Sequence, residues 1–351
     1  MSYSVIKADL KSNKGDIFAV WEKNYPGVLE KKYSWIYENN PAGAAHVWLL
    51  WHEGSKEYVG VTALFPRRFK INGKTLLGGI AGDLVVNKEH RSMGPALMLH
   101  KKVLSVVQDG LVDFIYGFPN RSSEPVVKRL GYELLGKQMR LIKILQTEPR
   151  LSRMPFGKYW CILVGPFLNS ILRLLSFETW HYFKKGDCFC EAVKDFDKRF
   201  DLFWEKAQSK FTIAGERTAL YLKWKFLMTP YFENKIVGLF NSEKNTLKGY
   251  IVYRHLDRGI EIRDFLTDGE AKSLPTLMAA FLSYARSTGA ESVVISMLEN
   301  GEVLRQMQRF GFIERNNEQS VALSVSDSLI IKFPFIKENK HWLMLQSDDD
   351  M

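Results

Sequence analysis

"DLVVNKEHRSMGPALM", residues 83–98, joins an apolar run to a helix-patterned one through the turn residues Gly94 and Pro95. The β-branched residues of this run suit a strand, and the three- and four-residue apolar spacing of "ALMLHKKVLSVVQDG" suits a helix that Gly110 stops. A helix entered from a strand by a short turn exposes unpaired N–H groups and the positive end of its dipole, which together make a site for a pyrophosphate. Gly94 allows close backbone approach, Pro95 fits a first helical position, and Arg91 adds a charge at the rim.

The rest of the chain supplies an internal control, because it repeats. "FAVWEKNY" (18–25) returns as "DLFWEKAQ" (201–208), and "KYSWIYENNP" (32–41) as "YLKWKFLMTP" (221–230). "GDLVV" (82–86) returns as "RDFLT" (263–267), and "NRSSEPVVKRLGYEL" (120–134) as "NGEVLRQMQRFGFIE" (300–314), with 11 residues from Asn120 to Gly131 and from Asn300 to Gly311. Each copy reads as a helical opening, several strands, and a β-α-β-α-β end. The division expected is a first domain over 1–145, a helical linker over 146–186, a second domain over 187–346 and a solvated acidic tail over 347–351. The second copy's "DGEAKSLPTLM" (268–278) drops both the arginine and the glycine of the turn.

The turn resembles motif A of the GCN5-related N-acetyltransferase (GNAT) superfamily, whose Arg/Gln-x-x-Gly-x-Gly/Ala is matched by Arg91, Ser92, Met93, Gly94, Pro95 and Ala96. "IYGFPNRSSEPVVKRLGYELLG" (115–136) resembles the same superfamily through its second-helix Asn and Gly-aromatic pair. The whole pattern is similar to a tandem bacterial subgroup associated with polysaccharide and surface-glycan biosynthesis. The resemblance implies an α/β fold of two tandem GNAT-like domains, each a mixed central sheet flanked by helices. It implies acetyl-CoA, or another acyl-CoA, as co-substrate and no metal. The backbone from Arg91 to Ala96 would surround the pyrophosphate, Leu84, Val85 and Val86 would pair with the pantetheine arm, and Asn120 and Ser123 would lie toward its far side. The second copy, lacking the turn, would be a degenerate partner that shapes the acceptor pocket.

Acyl transfer from a thioester needs a base for the nucleophile and an acid for the departing thiolate. Asp83, on the strand entering the turn, is the candidate base, with ordering of the loop as its other reading. Many superfamily members place a Tyr four residues before the Gly-aromatic pair as the acid; here Val127 stands there, and Met307 in the second copy, so the acid is unassigned. Tyr116 and Tyr132 read as core aromatics, Glu89 and His90 as solvated loop residues, and His100 as a surface or packing histidine. Asn120, recurring as Asn300, is equally a helix cap.

Two other readings stay open beside an acyl-CoA-dependent N- or O-acyltransferase. One is an aminoacyl-tRNA-dependent peptidyltransferase-like enzyme, which would not need Arg91 and Gly94. The other is a non-catalytic acyl-CoA-binding module, prompted by the missing Tyr. The acceptor, whether amine, hydroxyl, amino sugar or protein, is not legible.

"YWCILVGPFLNSILRLLSF" (159–177) is broken by Pro166 and a polar cluster, and so falls short of the ~20 apolar residues of a membrane-spanning helix. It reads as a helical connector, with peripheral membrane contact through 154–177 as its second reading. Composition agrees with a globular chain: 351 residues, 46% hydrophobic and 13% aromatic. The 49 Lys and Arg outnumber the 39 Asp and Glu, which favours anionic partners, but they are scattered without a reader motif and nucleic acid is not expected. Three cysteines form neither a disulfide framework nor a zinc set, and the charged amino terminus lacks an export signal, so a cytoplasmic setting is expected.

Overall fold

The computed structural model describes residues 2–25, 27, 30–147, 164–182, 188–243 and 245–349. The first copy runs β1 (Tyr3–Ala8), α1 (Lys14–Asn24), the short α2 (Glu30–Lys32) leading into a π-helical turn (Tyr33–Glu38), β2 (His46–His52), β3 (Glu57–Ile71) and β4 (Lys74–Val86). It continues through α3 (Met93–Gln108), β5 (Phe114–Gly117), α4 (Glu124–Arg129) and β6 (Glu133–Ile144). Connector helices α5 (Gly165–Leu175) and α6 (Phe177–Tyr182) lead to β7 (Cys188–Val193), α7 (Lys198–Ala207) and β8 (Ile213–Gly215). The second copy then repeats the order: α8 (Ala219–Leu222) with a π-helical turn (Lys223–Leu227), β9 (Lys235–Asn241), β10 (Leu247–His255), β11 (Gly259–Thr267), α9 (Ser273–Ser287), β12 (Ser292–Leu298), α10 (Gly301–Arg309) and β13 (Ile313–Val325). Helix α11 (Asp327–Lys332) and the two-residue β14 (Trp342–Leu343) follow.

The repeat read from sequence is thus a repeat of structure, down to rare details. Gly110 and Gly289 end their helices at φ +69° and +74°, a left-handed conformation that glycine adopts without strain. Both copies carry the π-helical turn, closed by Asn39 N–H to Ser34 O and by Met228 N–H to Lys223 O. Each also has a β-bulge at its aspartate, where Asp83 and Leu84 face Thr62 alone and Arg263 is the extra residue beside Asp264.

The strands are buried on both faces, as expected of a sheet covered by helices. In β2, Val47 and Leu49 pack with Ile17, Val20 and Trp21 of α1, while Trp48 and Leu50 pack on the other side with Leu99, Val103 and Val106 of α3. The second copy divides likewise: Tyr250 and Val252 meet Phe200, Phe203 and Trp204 of α7, and Ile251 and Tyr253 meet Leu277 and Phe281 of α9. Period-two alternation in the strands and 3.6-residue spacing in the helices place these residues.

Both copies share one sheet, ordered β1-β2-β3-β4-β5-β13-β6-β12-β11-β10-β9-β7. Each copy's last strand is given to the other: β13 pairs with β5 (Leu323 opposite Tyr116), and β6 pairs with β12 (Leu141 opposite Ile295). Residue 145 therefore ends a repeat rather than a self-contained packing unit. The expected acidic tail also departs from the reading. Ser347 and Asp348 are buried, and Asp348 lies 2.8 Å from Arg67 and 2.9 Å from Arg217, so an ion-pair centre holds what was read as solvated sequence.

Candidate active site

Strands β4 and β5 pair in parallel only from Gly78 opposite Phe114 to Ile80 opposite Tyr116. Beyond that they part, and among the described residues no strand pairs with the β5-facing edge of β4 from Ala81 to Val86. Leu84, Val85 and Val86 lie on this stretch of β4; the Val86 carbonyl is taken by Arg91 Nε, and the other backbone groups that face the gap are open to an extended ligand arm. At its end the chain turns through Asn87, a 3-10 turn at Lys88–His90, and Arg91 into α3.

Ser92 caps α3 with extended backbone and no side-chain hydrogen bond to the helix, so the first-turn N–H groups face outward without a capping acceptor. Gly94 is the second residue of the helix and Pro95 the third, two positions beyond the first position expected; its missing N–H is still one that the helix leaves unpaired. A Cβ built on Gly94 would meet nothing within 4 Å, and its φ is not positive, so neither packing nor backbone conformation requires glycine there. The second copy shows the contrast. Its helix opens Ser273-Leu274-Pro275, and Leu274, at the place of Gly94, is packed into the core of that copy. Room beside the helix terminus is therefore a property of the first copy, and it suits a phosphate-bearing ligand approaching backbone.

Arg91 shapes the turn from within. Its Nε donates to Val86 O at 2.9 Å and its Nη2 to Asn24 Oδ1 at 2.8 Å, while Asn24 Nδ2 donates to Asn87 Oδ1 at 2.8 Å. Ser92, Met93 and Gly94 are exposed and Ala96 half-buried. Asn120 closes the turn that leads into α4, its Oδ1 accepting from the backbone of Ser122 and Ser123 at 3.0 Å, but the helix N-cap is Ser123; Asn300 is the N-cap of α10, its Oδ1 accepting from Glu302 at 3.2 Å. Ser123 Oγ in turn accepts from Asn120 N–H. His90 differs from the solvated residue expected, since its Nδ1 lies 3.0 Å from Tyr3 Oη and its ring packs beside His52; Glu89 is exposed.

Asp83 sits in the bulge with φ +48° and is not solitary. Lys32 Nζ donates to its Oδ1 at 2.7 Å and Tyr37 Oη to its Oδ2 at 2.6 Å. Lys32 also lies over the Trp21 ring, and Tyr37 is wedged edge-on between Trp21 and Phe65. The result is a half-buried carboxylate fixed at the strand edge by an ammonium and a phenol. Sequence reading missed Lys32 and Tyr37, yet a signal was there. With Trp35 aligned to Trp224, their counterparts are Tyr221 and Phe226, so the copies differ in chemistry at both positions.

The residues read as core aromatics are core. Tyr132 is buried against His100, and burial pushes its hydroxyl pKa up; His100 is itself held neutral by burial, with its pKa drawn down to about 4. Tyr116 is fully buried and donates to Asp348 O at 2.9 Å. Val127 and Met307 are buried apolar residues.

The corresponding gap in the second copy is filled by the chain itself. Strands β11 and β12 part after Ile262 opposite Ile295, and there Leu298 N–H donates to Met344 O at 2.9 Å while Met297 bridges Leu345. Ser347 Oγ then donates to Asp264 Oδ1 at 2.8 Å, and Tyr250 Oη donates to Asp264 Oδ2 at 2.6 Å. Asp264, the counterpart of Asp83, is fully buried and bound by Arg217.

An open first-copy edge and a free helix terminus on a tandem α/β sheet meet the description of one known domain. The family model for the acetyltransferase (GNAT) domain matches residues 10–135. Residues 10–135 are a GNAT acetyltransferase domain. GNAT domains use acyl-CoA, and this domain makes the chain an acyltransferase. No curated protein matches in sequence. Among solved structures, a conserved Enterococcus faecalis V583 protein described as a probable N-acyltransferase superposes with a TM-score of 0.67 at 12% identity, covering 93% of this chain and 73% of that one. A GCN5-related N-acetyltransferase from Anabaena variabilis ATCC 29413 gives 0.64 at 14% identity, covering 92% and 73%. A tandem GNAT protein from the clavulanic acid biosynthesis pathway gives 0.54 at 11%, covering 92% and 98%. At such identities the likeness is one of fold, and the last extends it to the tandem arrangement.

Proposed function

We propose that this GNAT protein transfers an acyl group from a single acyl-CoA, held by its first copy, to an amine or hydroxyl of a polar small-molecule or glycan-precursor acceptor. The observation that carries the reading is the difference between copies: the β4 edge and the α3 terminus at Gly94 are open, whereas the second copy fills both places with Leu274 and with residues 344–347. Arg91 to Ala96 would hold the pyrophosphate, Leu84 to Val86 the pantetheine arm, and Asn120 and Ser123 would close its far side. Acyl-CoA supplies a thioester; the acceptor atom bonds to the acyl carbon as the carbon–sulfur bond breaks, and the acceptor's proton must be taken up.

Asp83 would take it up, a role supported by the way Lys32 and Tyr37 fix the orientation of its carboxylate. A polar cavity of about 120 Å³ between the copies supports a hydroxyl- or amine-bearing acceptor. It is lined by Gln138, Arg140, Glu261, Gln319, Gln346 and Asp349. Gln319 also donates to Phe118 O, just past β5 and on the side of the gap opposite β4.

Calorimetric titration with acetyl-CoA, followed by transfer of labelled acetyl to a panel of amino sugars and simple amines, tests the proposal. Saturable binding with transfer that is lost in Asp83→Asn is the expected result. Absence of both binding and transfer would sink it.

A further inference from the structure

Helix α5 stands out from the body of the protein. At about 100° per residue, Asn169 and Ser176 share one side of it, and both face inward. Asn169 Oδ1 accepts from Thr147 at 2.9 Å, and Ser176 Oγ accepts from Arg286 at 3.1 Å. Phe167, Ile171 and Leu174 fall on the opposite side. The segment is anchored through α6, where buried Glu178 lies 3.1 Å from Arg286 and 3.2 Å from Lys143, and Phe177 packs edge-on against Phe310. Its outer face is apolar and bare: Phe167 is 65% exposed, Leu174 60%, Leu175 79% and Trp180 63%. The other run of exposed apolar residues, Leu227, Met228, Tyr231 and Phe232, is less exposed on average, and Ile331 stands apart from both.

The sequence on either side of this face is rich in cations: between Glu148 and Asp187 it holds Arg150, Arg153, Lys158, Arg173, Lys184 and Lys185 against one acid, Glu178, which is turned inward and paired. Arg173 is exposed at the flank of the apolar stripe. Among the described residues no helix is long and apolar enough to cross a membrane. A short helix with an apolar outer face, a terminal tryptophan and basic flanks fits the interface of an anionic bilayer, where apolar side chains enter the acyl boundary and cations meet headgroup phosphates. We propose that α5 and the start of α6 dock this protein on an anionic membrane surface through Phe167, Leu174, Leu175 and Trp180. The inference stands on this face and does not rest on the acyltransferase reading.

The test is co-sedimentation of the full chain with vesicles of phosphatidylcholine alone and of phosphatidylcholine mixed with phosphatidylglycerol. The protein should sediment with the anionic vesicles, and less so as salt is raised. Phe167→Glu/Leu174→Glu/Leu175→Glu should lower binding at least tenfold while acetyl-CoA affinity and far-UV circular dichroism are unchanged. Ile331→Glu, an exposed apolar site elsewhere, should bind as the parent does. Lys184→Glu/Lys185→Glu provides a second arm, with roughly fivefold loss per charge removed. Failure of the parent protein to sediment with anionic vesicles would overturn the proposal, as would equal binding by the triple variant. A dimer that the triple variant abolishes, with no vesicle binding, would assign the face to a second copy instead.

Discussion

Trp35 and Trp224 exchange hydrogen bonds: Trp35 Nε1 donates to Trp224 O at 2.8 Å, Trp224 Nε1 donates to Trp35 O at 2.9 Å, and the rings stack with centroids 5.3 Å apart. The two tryptophans that mark the repeat in the sequence thus meet on its pseudo-twofold axis. Each sits on its copy's π-helical turn, so the contact ties the turn of one copy to that of the other. Trp35→Phe keeps most of the buried ring but orphans a buried carbonyl, and is expected to cost about 1–3 kcal/mol in denaturant unfolding. Trp224→Phe should cost the same, and the double variant should cost less than the sum of the two.

Gly94→Leu copies into the first copy the residue that the second copy uses. With no protein atom within 4 Å of a Cβ there and no positive φ, unfolding stability should stay within about 0.5 kcal/mol of the parent. Acetyl-CoA affinity, measured by calorimetry, should fall at least tenfold. Unchanged affinity would move the donor site away from α3.

Asp83→Asn retains a residue tolerant of the left-handed backbone while removing the carboxylate that Lys32 and Tyr37 hold. Transfer rate should fall by about 10²–10⁴, as for loss of a general base, with acetyl-CoA binding changed only a few-fold. Tyr37→Phe should keep binding and show a smaller loss of rate, since it orients the carboxylate without replacing it.

Asp348 links the end of the described chain to both copies through Arg67 and Arg217. Burial works against its charge, but the two arginines outweigh that and hold its pKa below the usual carboxylate value. A depressed carboxylate contributes stability that is fully present above about pH 4 and is lost as pH falls through the folded-state value. Asp348→Asn leaves buried arginine charge uncompensated and should cost about 3–5 kcal/mol at neutral pH, with a flatter stability profile below pH ~4.

His100 likewise resists protonation in the folded state, but here the form that burial favours is the neutral one. Both its ring nitrogens are buried without a hydrogen-bond partner, and its pKa lies at about 4, so the unfolded chain binds the proton first as pH falls. Its contribution should therefore erode between about pH 6.5 and 4. His100→Leu should be neutral or stabilising at pH 7 and should remove that slope from urea-unfolding stability measured across this range.

The α/β class, the duplication and the strand-turn-helix at residues 83–98 were legible because each is local: side-chain periodicity, helix-stopping glycines and turn residues are written in neighbouring positions. The comparison of copies also singled out Arg91 and Gly94, which the second copy lacks. Tertiary structure alone decided how the copies close. The exchange of β6 and β13 pairs strand edges far apart in sequence, and edge pairing leaves no periodicity of its own. It also decided that Lys32 and Tyr37 meet Asp83, and that Asp348, an acidic residue in a run of its kind, is buried between two arginines. Such charges are stable away from water only with partners that the fold brings together.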